Sequence, residues 1–514
     1  MKFGLDFRRL NLTSGLFNSF LAIANSYSSL QSGIADVVAQ SAEESIPARV
    51  DNYSSFGQDV WKLSPSLTLT YGLRWDINTP PASTAAGKPL YALTGVFDSQ
   101  PFGLAPAGTP LWHTRFNNFA PRVGAAWQLS PKTVLRGGYG LFYDLGYGGG
   151  IFNTGSFPYE RDSSVSSVPF NLNNPAFTPP ALSVVAGPDT AWVYAVDPHL
   201  RTPLTYEWNV TIERAFGANQ RLSASYVGAY GKHLLREDSI QQTPATYPTI
   251  FATTNGDWSH YSALQVQFQR RMARGLQALA SYTLAKSTDT NSTDVCQCSY
   301  TNTLSNVNPA ADLGPADFDV RNSFSAAVSY QLPAPPGRLG HTLFGNWTLD
   351  TLVRSSSAPP FSVMAIAVSP VFGRYYTRAD IVPGVPFYVP DANNPGGRRL
   401  NPAAFSVPPG GEQGNSPRNH FRLYPLTQAD IALSRRFKLS ERVVLYARAE
   451  YFNVFNHPNF GLGFLENYIN YGGGTPNPNF GITTATLNNT LGGLNPLYQV
   501  GGPRSAQFTL KFMM

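Results

Sequence analysis

Long strands with two unlike faces, aromatic residues gathered near strand ends, and connections that alternate between short and long predict an all-β fold for this chain: an antiparallel β-barrel that crosses a membrane. An alternating strand alone also suits a soluble sandwich, which buries one face and wets the other. Strand length separates the two. Most strands run to about ten residues, near the span lipid requires and beyond the usual soluble mode of roughly five or six.

The strands follow in order. Lys2–Leu10 sets Phe3, Leu5 and Phe7 against Lys2, Gly4, Asp6 and Arg8, and supplies a first outward span. Six hairpins come next. Asp59–Leu63 passes through Ser64-Pro65 into Ser66–Ile77, and Phe119–Leu129 through Ser130-Pro131-Lys132 into Thr133–Asp144. Tyr206–Ala215 turns at Gly217-Ala218-Asn219 into Arg221–Gly231, and Tyr261–Arg271 turns near Arg274-Gly275 into Leu276–Lys286. Arg321–Leu332 returns as Asn346–Arg354 after a longer Pro-rich link, and Thr427–Phe437 turns at Leu439-Ser440 into Val443–Phe455. Ser505–Phe512 closes the chain. The sum is about fourteen spans, an even number as single-chain bacterial barrels have. Residues 1–50 are an upstream strand and loop, and 51–514 hold the hairpins and the closing strand.

A period of two runs through these strands. Leu67, Leu69, Tyr71, Leu73, Trp75 and Ile77 face one way, and Ser66, Thr68, Thr70, Gly72, Arg74 and Asp76 the other. The last strand sets Ala506, Phe508, Leu510 and Phe512 against Ser505, Gln507, Thr509 and Lys511. Trp61, Trp75, Trp127, Tyr139, Tyr143, Trp208 and Tyr282 read as an interfacial girdle near strand ends. The long loops fall at 78–117, 145–203, 232–260, 287–318, 355–424 and 456–502, which assigns the short turns to the periplasm and the long loops to the outside.

Composition agrees. Charged residues are 13% of the chain, half the soluble share of roughly 25%, so few charges exist to cover a soluble surface. No run of 18 apolar residues offers a transmembrane helix. Lys2, Arg8 and Arg9 before Leu16–Ala24 imitate a signal peptide, but Asn18 and Ser19 break the apolar stretch, so the segment is read as strand and loop. The net charge of +6 is spread singly along strands without a recognition motif, which argues against nucleic-acid binding.

Little in the chain suggests catalysis. Cys296 and Cys298 lack the four-ligand spacing of a metal site and are read as a loop disulfide or two free thiols. The seven histidines are dispersed, and Gly146–Gly150 lacks the Lys-Ser/Thr of a phosphate loop. Asp317 and Asp319 share a face without an identifiable acid-base partner. The chain is expected to be no enzyme and to need no cofactor or metal. Charges inside strands are the remaining functional candidates: Arg74, Asp76, Arg122, Arg136, Glu207, Glu213, Arg321, Arg354, Asp430, Arg448 and Glu450. An Arg or Lys at the lipid midplane costs about 2–4 kcal/mol, so these residues are expected to face a lumen, either along a solute path or as cross-strand ion pairs.

Five segments carry a family resemblance: Asn118–Gly124; Tyr261–Gln265 with Ser281–Lys286; Asp317–Asn322; Arg448–Pro458; and Gly502–Phe512. In order and coverage they resemble the barrel of TonB-dependent receptors of the Oar-like group. The resemblance implies a barrel of roughly 22 strands around an N-terminal plug, energised through a TonB box. About fourteen spans, no plug and no TonB box are recognisable here, so the chain is read as the C-terminal portion of such a barrel. The implied partners are outer-membrane lipid, the barrel-assembly machinery through Ser505–Phe512, and the TonB system only through the missing plug, all in the outer membrane of a Gram-negative-type bacterium. Three readings of function remain: uptake of a large or scarce solute, a self-contained passive pore or surface adhesin, and a soluble all-β carbohydrate-binding protein.

Overall fold

The computed structural model describes residues 1–12, 18–44, 46–145, 157–171, 173, 175–186, 193–240, 250–292, 309–338, 340, 345–369, 373–394, 397–410, 412–460, 467–471, 474–483, 485–487 and 500–513. Fourteen long strands follow one another through these residues: β1 (Lys2–Leu12), β2 (Ala48–Ser64), β3 (Leu67–Asn78), β4 (Asn118–Ser130), β5 (Thr133–Tyr143), β6 (Leu204–Phe216), β7 (Gln220–Ile240), β8 (Ile250–Ala273), β9 (Leu276–Asp289), β10 (Asn322–Gln331), β11 (Trp347–Ser356), β12 (Leu426–Lys438), β13 (Val444–Phe452) and β14 (Ser505–Met513). Each pairs antiparallel with the next, so the sheet is a continuous meander. Among the described residues, no backbone pairing joins β1 to β14. No described helix is long and apolar enough to cross a membrane.

Polarity in this sheet is inverted relative to a soluble protein. Leu5 in β1 is 89% exposed, and Phe508 and Leu510 in β14 are each 71% exposed. Tyr71 and Leu73 in β3, Val123 and Trp127 in β4 and Val210 and Ile212 in β6 continue the same exposed apolar row. On the opposite face the large side chains give way to Ala120, Ala263 and Ala432, which are buried. A sheet that presents its large apolar residues outward needs an apolar solvent on that side.

Tight turns set the register at one end. At Arg274-Gly275 both residues take positive φ, 51° and 78°, the conformation of a two-residue hairpin whose twist matches its strands. A Cβ on Gly275 would lie 2.9 Å from the Gln331 carbonyl oxygen, so that turn requires glycine.

Three features differ from the sequence reading. β2 begins at Ala48 rather than Asp59. β7 and β8 run on through most of 232–260, where a loop is expected. Their pairing steps from Gly231↔Ser259 to Leu234↔Asp257, and the extra residue shifts the face parity, which hides the continuation from a period-two search. Tyr139 and Trp208 are cross-strand partners, each four residues in from the long-loop end of its strand, and Tyr282 sits halfway along β9 rather than at its end. Trp75 and Phe119 stack at 6.0 Å at the long-loop end, while Trp61 and Trp127 lie towards the short turns. Cys296 and Cys298, and Gly146–Gly150, lie outside the described residues.

The long connections hold the true hydrophobic cores. Val363, Ala365, Leu400, Phe405, Phe421 and Phe480 pack together over the long-loop end. Ile46, Leu111, Trp112, Leu200 and Leu235 form a second cluster, and Phe157, Val193 and Ile250 a third. A separate three-stranded sheet joins Ser19–Ile23, Ile34–Glu43 and Glu160–Pro169. Glu160 sits directly opposite Glu43 in it. Burial, reinforced by Asp162 and Glu43, pushes the Glu160 carboxyl up to about 8.

Two outcomes follow. Arg substituted for Leu510 or Val328 should block membrane assembly, since each site costs about 2–4 kcal/mol near midplane, whereas Arg at Thr70 or Ser329 should be tolerated. Heat-modifiable gel migration reads this, and equal tolerance at both sets contradicts the two-faced sheet. Glu160 keeps its proton in the fold above pH 4.5, where the unfolded chain loses it, so the small sheet should weaken as pH rises towards about 8. Hydrogen-exchange protection at Ile34–Glu43, corrected for base-catalysed intrinsic exchange, should fall between about pH 5.5 and about pH 8.5, and Glu160→Gln should remove that slope; protection independent of pH in the native protein contradicts the assignment.

Candidate functional site on the polar face and in the loop layer

Alternation within each strand brings the strand charges to one side of the sheet. Arg74 and Asp76 stand two residues apart on β3, with Arg74 Nε donating to Asp76 Oδ1 at 2.8 Å. Arg74 Nη2 also donates to Ser54 Oγ at 2.6 Å and lies 3.7 Å from Asp6 on β1. One arginine thus ties three neighbouring strands. Arg122 on β4 lies over the Phe142 ring at 4.2 Å. Gly140 permits this: a Cβ there would come within 3.1 Å of Phe142 and 3.2 Å of the Arg122 side chain.

Glu213 on β6 faces Arg221 of β7 at 3.4 Å, and Arg221 in turn donates to Gln269 of β8 at 2.9 Å. Arg448 on β13 donates from Nη1 to Asp350 of β11 at 2.7 Å and pairs through Nε with Glu450 at 3.0 Å. Register explains the reach, because Ala432 of β12 stands between Asp350 and Glu450 and its methyl leaves the space clear. Residues of β9 to β13, among them Gln277, Ser329, Asp350, Arg448 and Glu450, line a groove of about 420 Å³. Arg74 and Arg122 with Gln58 and Thr70 line another of about 450 Å³.

The remaining candidates differ in role. Arg136, Glu207 and Arg354 are exposed, and none makes an ion pair with another described residue. Asp430 accepts from Gln428 Nε2 at 2.9 Å and from the Asn453 backbone N–H at 2.8 Å, which makes it a strand-end lock. Arg321 precedes β10 and donates to the Ala285 carbonyl at 3.2 Å.

A second charged assembly lies in the loop layer. Arg236 is fully buried and meets three carboxylates: Asp238 at 2.6 Å, Asp257 at 3.2 Å and Asp312 at 2.9 Å. Asp312 also takes Arg378 at 2.6 Å. Arg418 reaches Asp289 at 2.6 Å and Asp317 at 3.4 Å, and Arg422 reaches Asp319 at 2.6 Å. The buried Arg236, Arg378 and Arg418 and the exposed Arg422, paired with these carboxylates, tie the β7–β8 extension to 309–319 and to the loop between β11 and β12. Asp317 and Asp319, read from sequence as an unpartnered pair, therefore anchor loops. Asp319 additionally accepts from the Ser287 backbone N–H at 2.7 Å.

Sequence reasoning missed this lattice because its members are distant along the chain. Arg236 and Asp312 are 76 positions apart, and Arg418 and Asp289 are 129 apart. The available signal was three acidic residues at Asp312, Asp317 and Asp319 beside three arginines at Arg418, Arg422 and Arg378, in a chain poor in charge. The segment after Arg448 is also structural. Asn453 is buried at φ 47° and donates to the His457 and Gly502 carbonyls, each at 2.9 Å, which fastens the chain reversal after β13.

Comparison with known proteins follows the same lines. No curated protein sequence matches at a significant level. Among solved structures, the chain is similar to the outer membrane transporter YddB from Escherichia coli, at 11% identity and a TM-score of 0.44, covering 99% of this chain and 55% of that one. It is similar to the ferric enterobactin receptor PfeA from Pseudomonas aeruginosa at 12% identity and 0.44, covering 99% and 54%. For the pyoverdine receptor FpvA of the same organism the values are 11% and 0.43, covering 93% and 48%. The chain spans about half the length of these structures. A family model described as the outer membrane beta barrel domain matches residues 1–505, and the chain belongs to that outer-membrane family.

Proposed function

We propose that the polar face lines a solute path through the outer membrane, and that the chain is the barrel portion of a receptor for TonB-dependent uptake of a large or scarce solute. The observation that carries this reading is the row of charges on the face turned from lipid, Arg74–Asp76, Arg122, Glu213–Arg221 and Arg448–Glu450, beneath an ordered loop layer. Charges held this way tolerate water and polar solutes but not hydrocarbon. Arg136, Glu207 and Arg354, without ion partners among the described residues, add fixed charge to a hydrated wall.

The edges of β1 and β14 enter the same reading. Backbone groups in lipid must be paired, so a sheet whose edges at β1 and β14 do not pair with each other among the described residues is completed by further strands in this reading. The roughly eight strands and plug implied by the family resemblance would complete it. Such a polypeptide binds and passes a solute without changing it chemically.

The loop layer is the selective mouth in this account, and the arginine–carboxylate lattice fixes its shape. Removing one partner of a buried ion pair costs about 3–5 kcal/mol because the other charge is left stranded. Asp312→Asn strands part of Arg236 and Arg378 together. It should sharply raise protease sensitivity within 373–422 while the heat-modifiable barrel persists; unchanged protease resistance contradicts the role of the lattice. Transport is tested in cells carrying the complete gene or its deletion, by mass spectrometry of solutes depleted from the medium. Depletion should vanish on deletion and on addition of a protonophore. Depletion that survives the protonophore identifies a passive pore, and none that depends on the gene overturns the transport reading.

A further inference from the structure

A basic cluster lies on the outer rim, outside the polar face and outside the buried lattice. Arg115 and Arg201 come from two separate connections and Lys232 and His233 from β7, and the three cations gather about His233, which Asn255 of β8 ties to Arg201. Asn255 Oδ1 accepts from the Arg201 backbone N–H at 2.6 Å, and its Nδ2 donates to the Arg201 carbonyl at 2.9 Å and to the His233 carbonyl at 2.7 Å. Arg115 donates to the His199 carbonyl at 3.0 Å and the Leu200 carbonyl at 3.4 Å. Arg201 Nη1 stands 3.5 Å from His233 Nε2. Arg115, Arg201 and His233 are therefore held in place by specific hydrogen bonds.

Backbone geometry presents it. The extra residue in β7 falls at Lys232–His233, and His233 takes φ 58°, a left-handed conformation uncommon outside glycine. Lys232 continues the apolar-face row of Tyr226, Gly228 and Tyr230 and is exposed, as is Arg201. None of Arg115, Arg201 and Lys232 pairs with a carboxylate of the described residues. The nearest acid by sequence, Asp197, is spent on the His199 backbone N–H at 2.7 Å.

Position identifies what neutralises these cations. Tyr206 and Tyr230 pair at 6.2 Å on the apolar face, and Trp75, stacked on Phe119, donates its indole N–H to the Phe116 carbonyl at 2.7 Å. These rings mark the lipid–water boundary at the long-loop end, and the cations stand immediately beyond them. Phosphate-bearing headgroups stand at that level of a bilayer, and arginine and lysine pair with phosphate through charge-assisted hydrogen bonds.

We propose that Arg115, Arg201 and Lys232, framed by His233 and Asn255, form a docking surface for the phosphate groups of an outer-leaflet glycolipid. The proposal rests on family membership and on the outward orientation of the long loops, and it stands whether or not the barrel transports a solute.

The test uses the full chain purified in a non-ionic detergent. Diphosphoryl lipid A, monophosphoryl lipid A, phosphatidylethanolamine and inorganic phosphate are added separately, and bound lipid is read by native mass spectrometry. Diphosphoryl lipid A should bind most tightly, with affinity falling on the order of fivefold for each cation replaced by glutamine at Arg115, Arg201 and Lys232. Arg214→Gln, at the opposite rim beside Phe216, should leave binding unchanged. Among the described residues the Lys232 side chain makes no hydrogen bond or ion pair, so Lys232→Gln tests the surface even if the triple variant fails to assemble, and Lys232→Arg should retain binding. Equal binding by native protein and Lys232→Gln overturns the proposal. So does equal binding of phosphatidylethanolamine, or full displacement of lipid A by inorganic phosphate, which would make this a soluble-anion site.

Discussion

Everything in this molecule follows from one constraint: hydrocarbon offers a backbone N–H or carbonyl no partner. A meander of long antiparallel strands meets the constraint by pairing each strand with its neighbours, and the apolar row facing lipid then needs no covering layer. The usual core is displaced as a result. Phe508 and Leu510 stay exposed on the apolar face while Ala120, Ala263 and Ala432 of other strands are buried on the opposite face, and the packed clusters gather at the long-loop end. The same constraint makes the edges at β1 and β14 consequential, because an edge that water would satisfy elsewhere is costly in lipid.

Charge is handled differently in the two regions. On the polar face the pairs are partly exposed, so water screens them and each contributes little on its own. Arg448 spans two strands only because Ala432 lies between its partners, so small residues there are a condition of the ion pair as well as of the open space. In the loop layer Arg236 has no access to water. Its desolvation is offset only by the set of carboxylates around it, and geometry rather than net attraction is what such a set provides. The β7–β8 extension and the segments that flank β10 and β12 are held in one arrangement by it.

Much of this was legible in the sequence, for a physical reason. Lipid punishes an exception to alternation, so the period of two survives in Leu67–Ile77 and Ser505–Phe512 with little noise, and the hairpins can be read in order. Legibility fails where lipid stops enforcing it. At Lys232–His233 one extra residue reverses the parity, and a continuing strand reads as loop. The lattice of Arg236, Asp312 and Arg418 joins residues far apart along the chain, a relation no local pattern encodes. The preference of aromatics for the boundary puts Tyr282 at a strand end, whereas the strand places it halfway along β9. The polar-face candidates are visible individually as charges in strands, but their partners emerge only from register.

The central claim is that each long strand separates lipid from water residue by residue. It is tested most directly by placing single spin labels at consecutive positions from Val328 to Gln331 in β10 and from Phe508 to Lys511 in β14, in the complete protein reconstituted in a bilayer. Collision rates with oxygen, which concentrates in hydrocarbon, and with a water-soluble nickel chelate are then measured at each position. The account predicts rates that alternate with a period of two and in opposite phase for the two reagents, with oxygen favoured at Val328, Tyr330, Phe508 and Leu510. Rates that vary smoothly along the strand, or chelate access that is equal at neighbouring positions, would contradict it.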